Sequence, residues 1–310
     1  MASATPAKGA APGKRATVFG GTGFLGRAVV ARLAAAGAQV RIAARRPAAG
    51  EAPAGVERMV ADVRDAATVA QAVAAADWVV NAVGHYRERP GASFQDVHVA
   101  GARAVAEAAA KGGAEALVHV SGIGAEPDSP SPYVRARAAG EAAVREAFPE
   151  ATILRPSALF GPGDSLLDSL ARIARVLPAF PLFGDGRTRL QPVYVADVAA
   201  AVERALESPA ARGLIYELGG KQSYSYRALI ELVMKETGAR RPLLPVPFAL
   251  WEVLARALGP LPSAPVTRDM IALVRKDNLP DPTLPGFADL GLAPTAVEEI
   301  LPSIVGPARP

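Results

Sequence analysis

From residue 16 the chain alternates short apolar runs with longer stretches in which apolar positions recur every three or four residues. The runs "ATVFG" (16–20), "QVRIAA" (39–44), "VERMVA" (56–61), "DWVVNAVG" (77–84), "ALVHVSG" (116–122) and "ATILRPS" (151–157) predict buried strands. Between them, Ala-rich stretches such as "LGRAVVARLAAAG" (25–37) and "DVHVAGARAVAEAAAKGG" (96–113) predict helices. The second closes on a glycine pair suited to a C-cap. Strands that alternate with helices in this way predict an α/β fold with a Rossmann-type, doubly wound parallel sheet.

The pattern changes after about residue 155. Of 28 prolines, 13 lie between residues 240 and 310, and proline cuts helices short. A smaller, mostly helical C-terminal lobe is expected there, with longer helices at 197–208 and 225–238. The expected organisation is a loose tail at 1–14, a Rossmann domain at 15–160, a partly interleaved lobe at 161–304 whose residues near 190–200 return to the body, and a tail at 305–310. "PFALWEVLARALGPLP" (247–262) is the most apolar segment. It reads either as a helix packed on the lobe, with Glu252 and Arg256 paired on one face, or as an apolar face for a partner or membrane surface.

Composition narrows the chemistry. Half of the 310 residues are apolar, 21% are charged, and the net charge is +4. Only six of the 34 basic residues are lysine, and the arginines are scattered among few aromatics, so nucleic-acid binding is not indicated. With no cysteine, disulfides, thiolate catalysis and Cys-bound zinc are excluded. Residues 1–14 lack the apolar centre of a secretory signal, and no uncharged apolar run is long enough to span a membrane. The sequence contains no HExxH motif, acidic metal cluster or P-loop.

One motif carries specific chemistry. In "TVFGGTGFLGRAVVARL", Gly20, Gly23 and Gly26 follow the first predicted strand and enter the first predicted helix. The first glycine permits the tight turn. The second lets backbone N–H groups approach a pyrophosphate, and the third lets helix and strand pack closely. Thr22, Phe24 and Leu25 complete the loop, and the helix N-terminus adds partial positive charge. Where NAD-selective sites place an acid after the second strand, this chain has Arg45 and Arg46. Guanidinium pairs bidentately with a 2′-phosphate, which favours NADPH over NADH. Asp62, followed by Val63, ends the third strand within reach of an adenine amino group. Ala82, Val83 and Gly84 end the fourth, at the crevice where doubly wound sheets bind ligands.

Together these features resemble the extended, atypical branch of the short-chain dehydrogenase/reductase superfamily. "YVRARAAGEAAVREAFPEATILRPSALFGPGD", "LQPVYVADVAAAV" and "TRDMIALVRKDNLPDPTLPGFADLGL" further resemble the nucleotide-binding accessory subunits of mitochondrial-type respiratory complex I and their bacterial relatives. The likeness runs from about residue 16 to 304. It implies a subunit that binds NADPH structurally and sits against complex I subunits near the junction of hydrophilic arm and membrane. In a bacterium that is peripheral to the cytoplasmic face of the inner membrane; a soluble cytoplasmic protein is the alternative. The resemblance assigns cofactor contacts to the glycine loop, Arg45, Asp62 and 82–84. It puts Ser121, Tyr133 and position 137 in the superfamily's catalytic Ser/Tyr/Lys places, and has Pro156 and Ser157 line the nicotinamide.

Position 137 is where this chain departs from the superfamily. Lysine there holds ribose hydroxyls and lowers the tyrosine pKa; Arg137 can also bind ribose hydroxyls, so Ser121, Tyr133 and Arg137 are expected cofactor contacts, but it is bulkier and cannot relay a proton. Three readings follow: a cofactor holder, an NADP-dependent reductase or epimerase working through Ser121 and Tyr133, or an NADP(H)-sensing regulator in which oxidised and reduced cofactor stabilise different lobe arrangements. A cleft filled beside Ser121 favours the first and an open one the second. Of the three histidines, His119 is expected to be packed in a strand, and His85 to border the nicotinamide pocket.

Overall fold

In a computed structural model the described residues are 11, 13–47, 53–163, 166–258 and 266–306. Most of both expected tails and the end of the apolar segment, 259–262, lie outside them. The first half runs β1 (Arg15–Phe19), α1 (Phe24–Ala35), β2 (Gln39–Ala44), β3 (Val56–Val60), α2 (Ala66–Val73), β4 (Trp78–Asn81), α3 (Gly101–Lys111), β5 (Ala116–Val120), α4 (Pro132–Ala147) and β6 (Thr152–Pro156). The second half adds β7 (Leu159–Phe160), α5 (Leu166–Val176), β8 (Phe180–Phe183), β9 (Arg189–Leu190), β10 (Val193–Tyr194), α6 (Val195–Glu207) and β11 (Ile215–Leu218). Then follow β12 (Tyr224–Ser225), α7 (Tyr226–Thr237), β13 (Leu243–Val246), α8 (Phe248–Leu258), α9 (Arg268–Arg275) and α10 (Val297–Val305).

Seven parallel strands form one sheet in the order β11-β6-β5-β4-β1-β2-β3. The reversal between β1 and β4 opens the crevice at which such sheets bind ligands. Side chains alternate along each strand as the pleat requires. Val80, Val118 and Leu154 join a core with α1 and α6, while Val79, Leu117 and Ile153 join another with α2, α3 and α4. Both faces are therefore covered, which is why the strand runs are apolar throughout. The return to the sheet extends through α6 and β11, as far as Leu218, well past the expected 190–200.

The lobe has its own core. Helices α5, α7 and α10 enclose Phe160, Phe180, Leu182, Leu229 and Leu301. Helices α8 and α9 pack Ala255 and Ile271 onto Phe183. Glu252 pairs with Arg275 of α9 at 2.8 Å, not with Arg256; docking against α9 supplies a nearer cation than the same-helix neighbour. The other face of α8 exposes Leu250, Val253 and Leu254.

One buried ion cluster joins the parts. Arg155 on β6 grips Glu141 of α4 through Nε and Nη2, at 2.9 and 2.6 Å, and reaches Glu217 of β11 at 3.2 Å. Glu217 in turn accepts the backbone N–H of Asp281 at 2.8 Å. Removing the shared cation would strand two buried carboxylates, a loss of about 3–5 kcal/mol. Arg155→Met should therefore lower the urea-unfolding free energy by that amount. A loss below about 1 kcal/mol would mean that water already solvates these acids.

Candidate functional site

The glycine loop is built as the motif requires. Gly20 has φ +77°, and a Cβ there would lie 2.7 Å from the Ala82 carbonyl oxygen. A Cβ on Gly26 would sit 2.0 Å from the Gly20 carbonyl oxygen, so helix and loop could not meet. Gly23 is the N-cap of α1, and no side chain caps this terminus or places an acid in the first turn. The leading N–H groups, from Phe24 to Gly26, are left for an anion. Thr22 accepts Arg27 through its carbonyl at 2.9 Å. This donor set and the close approach of β4 suit a dinucleotide pyrophosphate, and the fold is an NAD(P)-type dinucleotide-binding fold.

The remaining sequence-predicted positions gather at the carboxyl ends of the same strands. Arg45 and Arg46 follow β2 and are exposed. Asp62 follows β3, where Arg64 donates to both carboxylate oxygens through Nε, at 3.0 and 3.1 Å. That bonding holds the Asp62 pKa below its usual value, and the charge of Arg45 adds to the effect. Val63 packs beneath Gly101. After β4, Ala82 donates to Phe19 and Val83 donates to the Asn81 side chain, which orders the turn into Gly84. Pro156 ends β6. The Ser157 hydroxyl is bound by the Asn278 side chain, brought in by the C-terminal stretch.

Ser121 stands just past β5, and Tyr133 and Arg137 in the first turns of α4. The Ser121 N–H donates to Leu154 at 2.7 Å, and its buried hydroxyl has no protein partner among the described residues. Tyr133 and Arg137 lie one turn apart on α4, and Arg137 Nη1 donates to the Tyr133 hydroxyl. The guanidinium lies over Gly122, where an added Cβ would be 3.3 Å from Nη2. Ser131 caps α4 and also donates to Asp269 of α9 at 2.6 Å, fastening the lobe to the helix that carries the site.

Sequence reasoning left out what covers Tyr133. Its ring packs against Phe94 and, edge-on, against His98 at 5.5 Å, with Tyr86 at 5.3 Å, and Leu273 of α9 packs on the cluster they form. Only 4% of Tyr133 is exposed. Burial pushes its phenol up to about 12, against the opposing pull of Arg137. At neutral pH it is a proton donor in a closed setting and no base. A cavity of about 630 Å³ runs along α4, past Phe94, Arg135 and Arg155. None of Ser121, Tyr133 and Arg137 lines it.

All three histidines converge here. His98 lies on a π-helical turn, Gln95–Ala100, directly before α3. It donates from Nε2 to the His85 carbonyl at 3.0 Å, and its ring centroid is 5.1 Å from that of His85. His85 stacks on Phe94, and His119 is buried in β5 as expected. The π-turn has no local sequence signature, but Gly140 is a signal in retrospect. A Cβ at that mid-helix glycine would be 2.0 Å from the His98 carbonyl oxygen, so a helix-interior glycine marked the close approach.

The chain's similarities follow this geometry. Residues 16–219 match the NAD dependent epimerase/dehydratase family. NADH dehydrogenase [ubiquinone] 1 alpha subcomplex subunit 9, mitochondrial, of Mus musculus is 34% identical over 296 residues, 91% of this chain and 77% of that protein. The Ceramide reductase of Caulobacter vibrioides is 32% identical over 234 residues, 74% of this chain and 73% of that protein. The UDP-glucose 4-epimerase of Thermus thermophilus, solved with NAD, aligns with a TM-score of 0.62 at 25% identity. That alignment covers 75% of this chain and 86% of that one.

Burial lowers the pKa of His98 to about 4 and of His119 to about 3. Unfolded histidine takes up its proton near 6.5, so between those values the unfolded chain binds more protons and stability falls as pH falls. Urea-unfolding free energy should decline below pH 6.5, by up to about 1.4 kcal/mol per pH unit for each histidine. His119→Asn should flatten the slope, and a slope unchanged by that substitution would contradict this assignment.

Proposed function

The chain belongs to the NAD dependent epimerase/dehydratase family, and from that premise we propose that it holds NADP(H) without turning it over, as an accessory subunit of a respiratory complex I. The observation that carries the reading is the closed setting of Tyr133. A catalytic tyrosine must reach substrate, yet this one is covered by Phe94, Tyr86 and His98, and its hydroxyl is engaged by Arg137. Arginine keeps its charge through any proton transfer. The glycine loop keeps its tight turn and its uncapped helix terminus. Similarity to the mouse subunit over 91% of this chain supports the assignment to the complex.

In this reading the N-terminus of α1 takes the pyrophosphate and Asp62 the adenine amino group. Arg45 and Arg46 take the 2′-phosphate, which makes NADPH the preferred form of the nucleotide. Residues 82–84, Ser121, Pro156 and Ser157 border the nicotinamide half. The body spans 15–160 and the lobe 161–304, with 195–218 belonging structurally to the body. The protein sits peripherally on the cytoplasmic face of a bacterial inner membrane, against complex I subunits near the arm–membrane junction; among the described residues no helix is long and apolar enough to cross a membrane.

A second reading, an NADP-dependent reductase or epimerase, is favoured by the unpartnered Ser121 hydroxyl and by similarity to the Caulobacter reductase. The two separate experimentally. Native mass spectrometry of the purified chain should find one dinucleotide phosphate per protein, and detergent-solubilised membranes should yield the chain together with complex I. Tyr133→Phe should leave both results unchanged. Recovery free of both dinucleotide and complex would overturn the proposal, as would hydride exchange that Tyr133→Phe abolishes. Arg45→Ala should weaken NADPH binding by about tenfold to a hundredfold with little effect on NADH, the worth of a charge-assisted hydrogen bond. Equal losses for both nucleotides would remove Arg45 from the 2′-phosphate.

A further inference from the structure

Helix α8 is seated on the lobe by one side only. Trp251 donates from Nε1 to the Leu182 carbonyl at 3.1 Å, its ring lies 4.4 Å from that of Phe183, and Ala255 is buried in the same cluster. Phe248, at the start of the helix, is covered by the Arg275 guanidinium 4.8 Å from its ring centroid. These contacts complete a small core and hold the helix in place. Leu250, Val253, Leu254 and Ala257 fall on the opposite side, at the i, i+3, i+4, i+7 spacing of a single stripe. Leu250 is 50% exposed, Val253 57% and Leu254 37%, and Ala257 is exposed with them.

The charges around this stripe select what can cover it. Between residues 240 and 276 the chain carries six basic residues against two acids. Both acids are engaged, Glu252 by Arg275 at 2.8 Å and Asp269 by the Ser131 hydroxyl at 2.6 Å. In the neighbouring loop Asp185 is paired with Arg187. Arg256, which borders the stripe beside Val253, and Arg268, on the adjoining α9, are exposed. A second copy of this face would bring its own excess of positive charge against the first. The core of a protein interface is enriched in aromatic side chains and carries hydrogen bonds, whereas the exposed stripe is aliphatic throughout. An aliphatic stripe with a basic border and no free acid suits the interface of an anionic bilayer.

We propose that α8 is a membrane-docking helix. Leu250, Val253, Leu254 and Ala257 enter the boundary between headgroups and acyl chains of a bilayer containing anionic lipid, and Arg256 and Arg268 meet its phosphates. The proposal rests on the peripheral membrane location in the reading above and goes beyond it: the chain grips lipid directly, with no other subunit needed in between. The side of α8 that binds lipid takes no part in the lobe core, so docking requires no rearrangement of the fold.

The test is flotation of the purified full chain with vesicles of phosphatidylcholine alone and of phosphatidylcholine with about 30% phosphatidylglycerol. Binding to the anionic vesicles is expected, much weaker binding to the neutral ones, and weakening of the former in about 0.5 M salt. Val253→Asp and Leu254→Asp should each weaken binding by at least about tenfold, and so should Arg256→Glu combined with Arg268→Glu. Should an Asp variant fail to fold, Val253→Ser and the arginine pair still decide. Dinucleotide content and recovery with complex I are read on the same preparations. Their loss alongside intact flotation strikes the holder reading and supports this one. Flotation undiminished by Val253→Asp would overturn the proposal, as would equal binding to neutral vesicles. Absence of flotation would overturn it too, and the same variant then names the occupant. Loss of complex I in Val253→Asp gives the face to a protein subunit, and a dimer split by it gives the face to a second copy.

Discussion

The arrangement depends on a single half-buried cation. Arg155 sits between Glu141 and Glu217, drawing together α4, the sixth strand and the edge strand of the sheet. Glu217 then anchors the C-terminal stretch through the Asp281 N–H, while its own N–H donates to Pro285 at 3.0 Å. Hydrophobic packing would hold these layers together without choosing their register. A charge that cannot be left unpaired does choose it. Tyr133 and Arg137 ride on the helix fixed by Glu141, so the position of the site is set by an interaction that takes no part in it.

Within the site, two departures change the chemistry while the backbone plan is kept. Arginine replaces lysine one turn after the tyrosine, and an aromatic and histidine cluster closes over the phenol. Either alone would slow proton transfer. Together they leave a hydroxyl that is desolvated, neutral and held by a donor that never gives up its proton. Dinucleotide binding asks only for the loop, the helix terminus and the strand ends, which these changes leave in place.

What was legible beforehand follows the range of the interactions involved. The first six strands and the glycine turn are written in local spacing, and they stand where spacing put them. The pairing of Glu252 with Arg275 instead of Arg256 needed the docking of α8 on α9. The extended return through β11 was hidden because Ile215–Leu218 is a four-residue run in a proline- and glycine-rich region. The convergence of His85, His98 and His119 joins three separate elements, and a π-turn that aims one of them has no period to read. Only Gly140, out of place inside a helix, hinted at that contact.

The ion cluster also imposes an order in time. Arg155 leaves the ribosome with Glu141 already made, but Glu217 lies 62 residues further on. At roughly 5–20 residues per second, the nascent sheet waits about 3 to 12 seconds for its last strand, and longer for the segment that covers it. During that interval β6 is an unpaired edge with a half-satisfied cation, open to mispairing with other chains. How long that edge stays open is thus set by the distance in sequence between one arginine and its second acid.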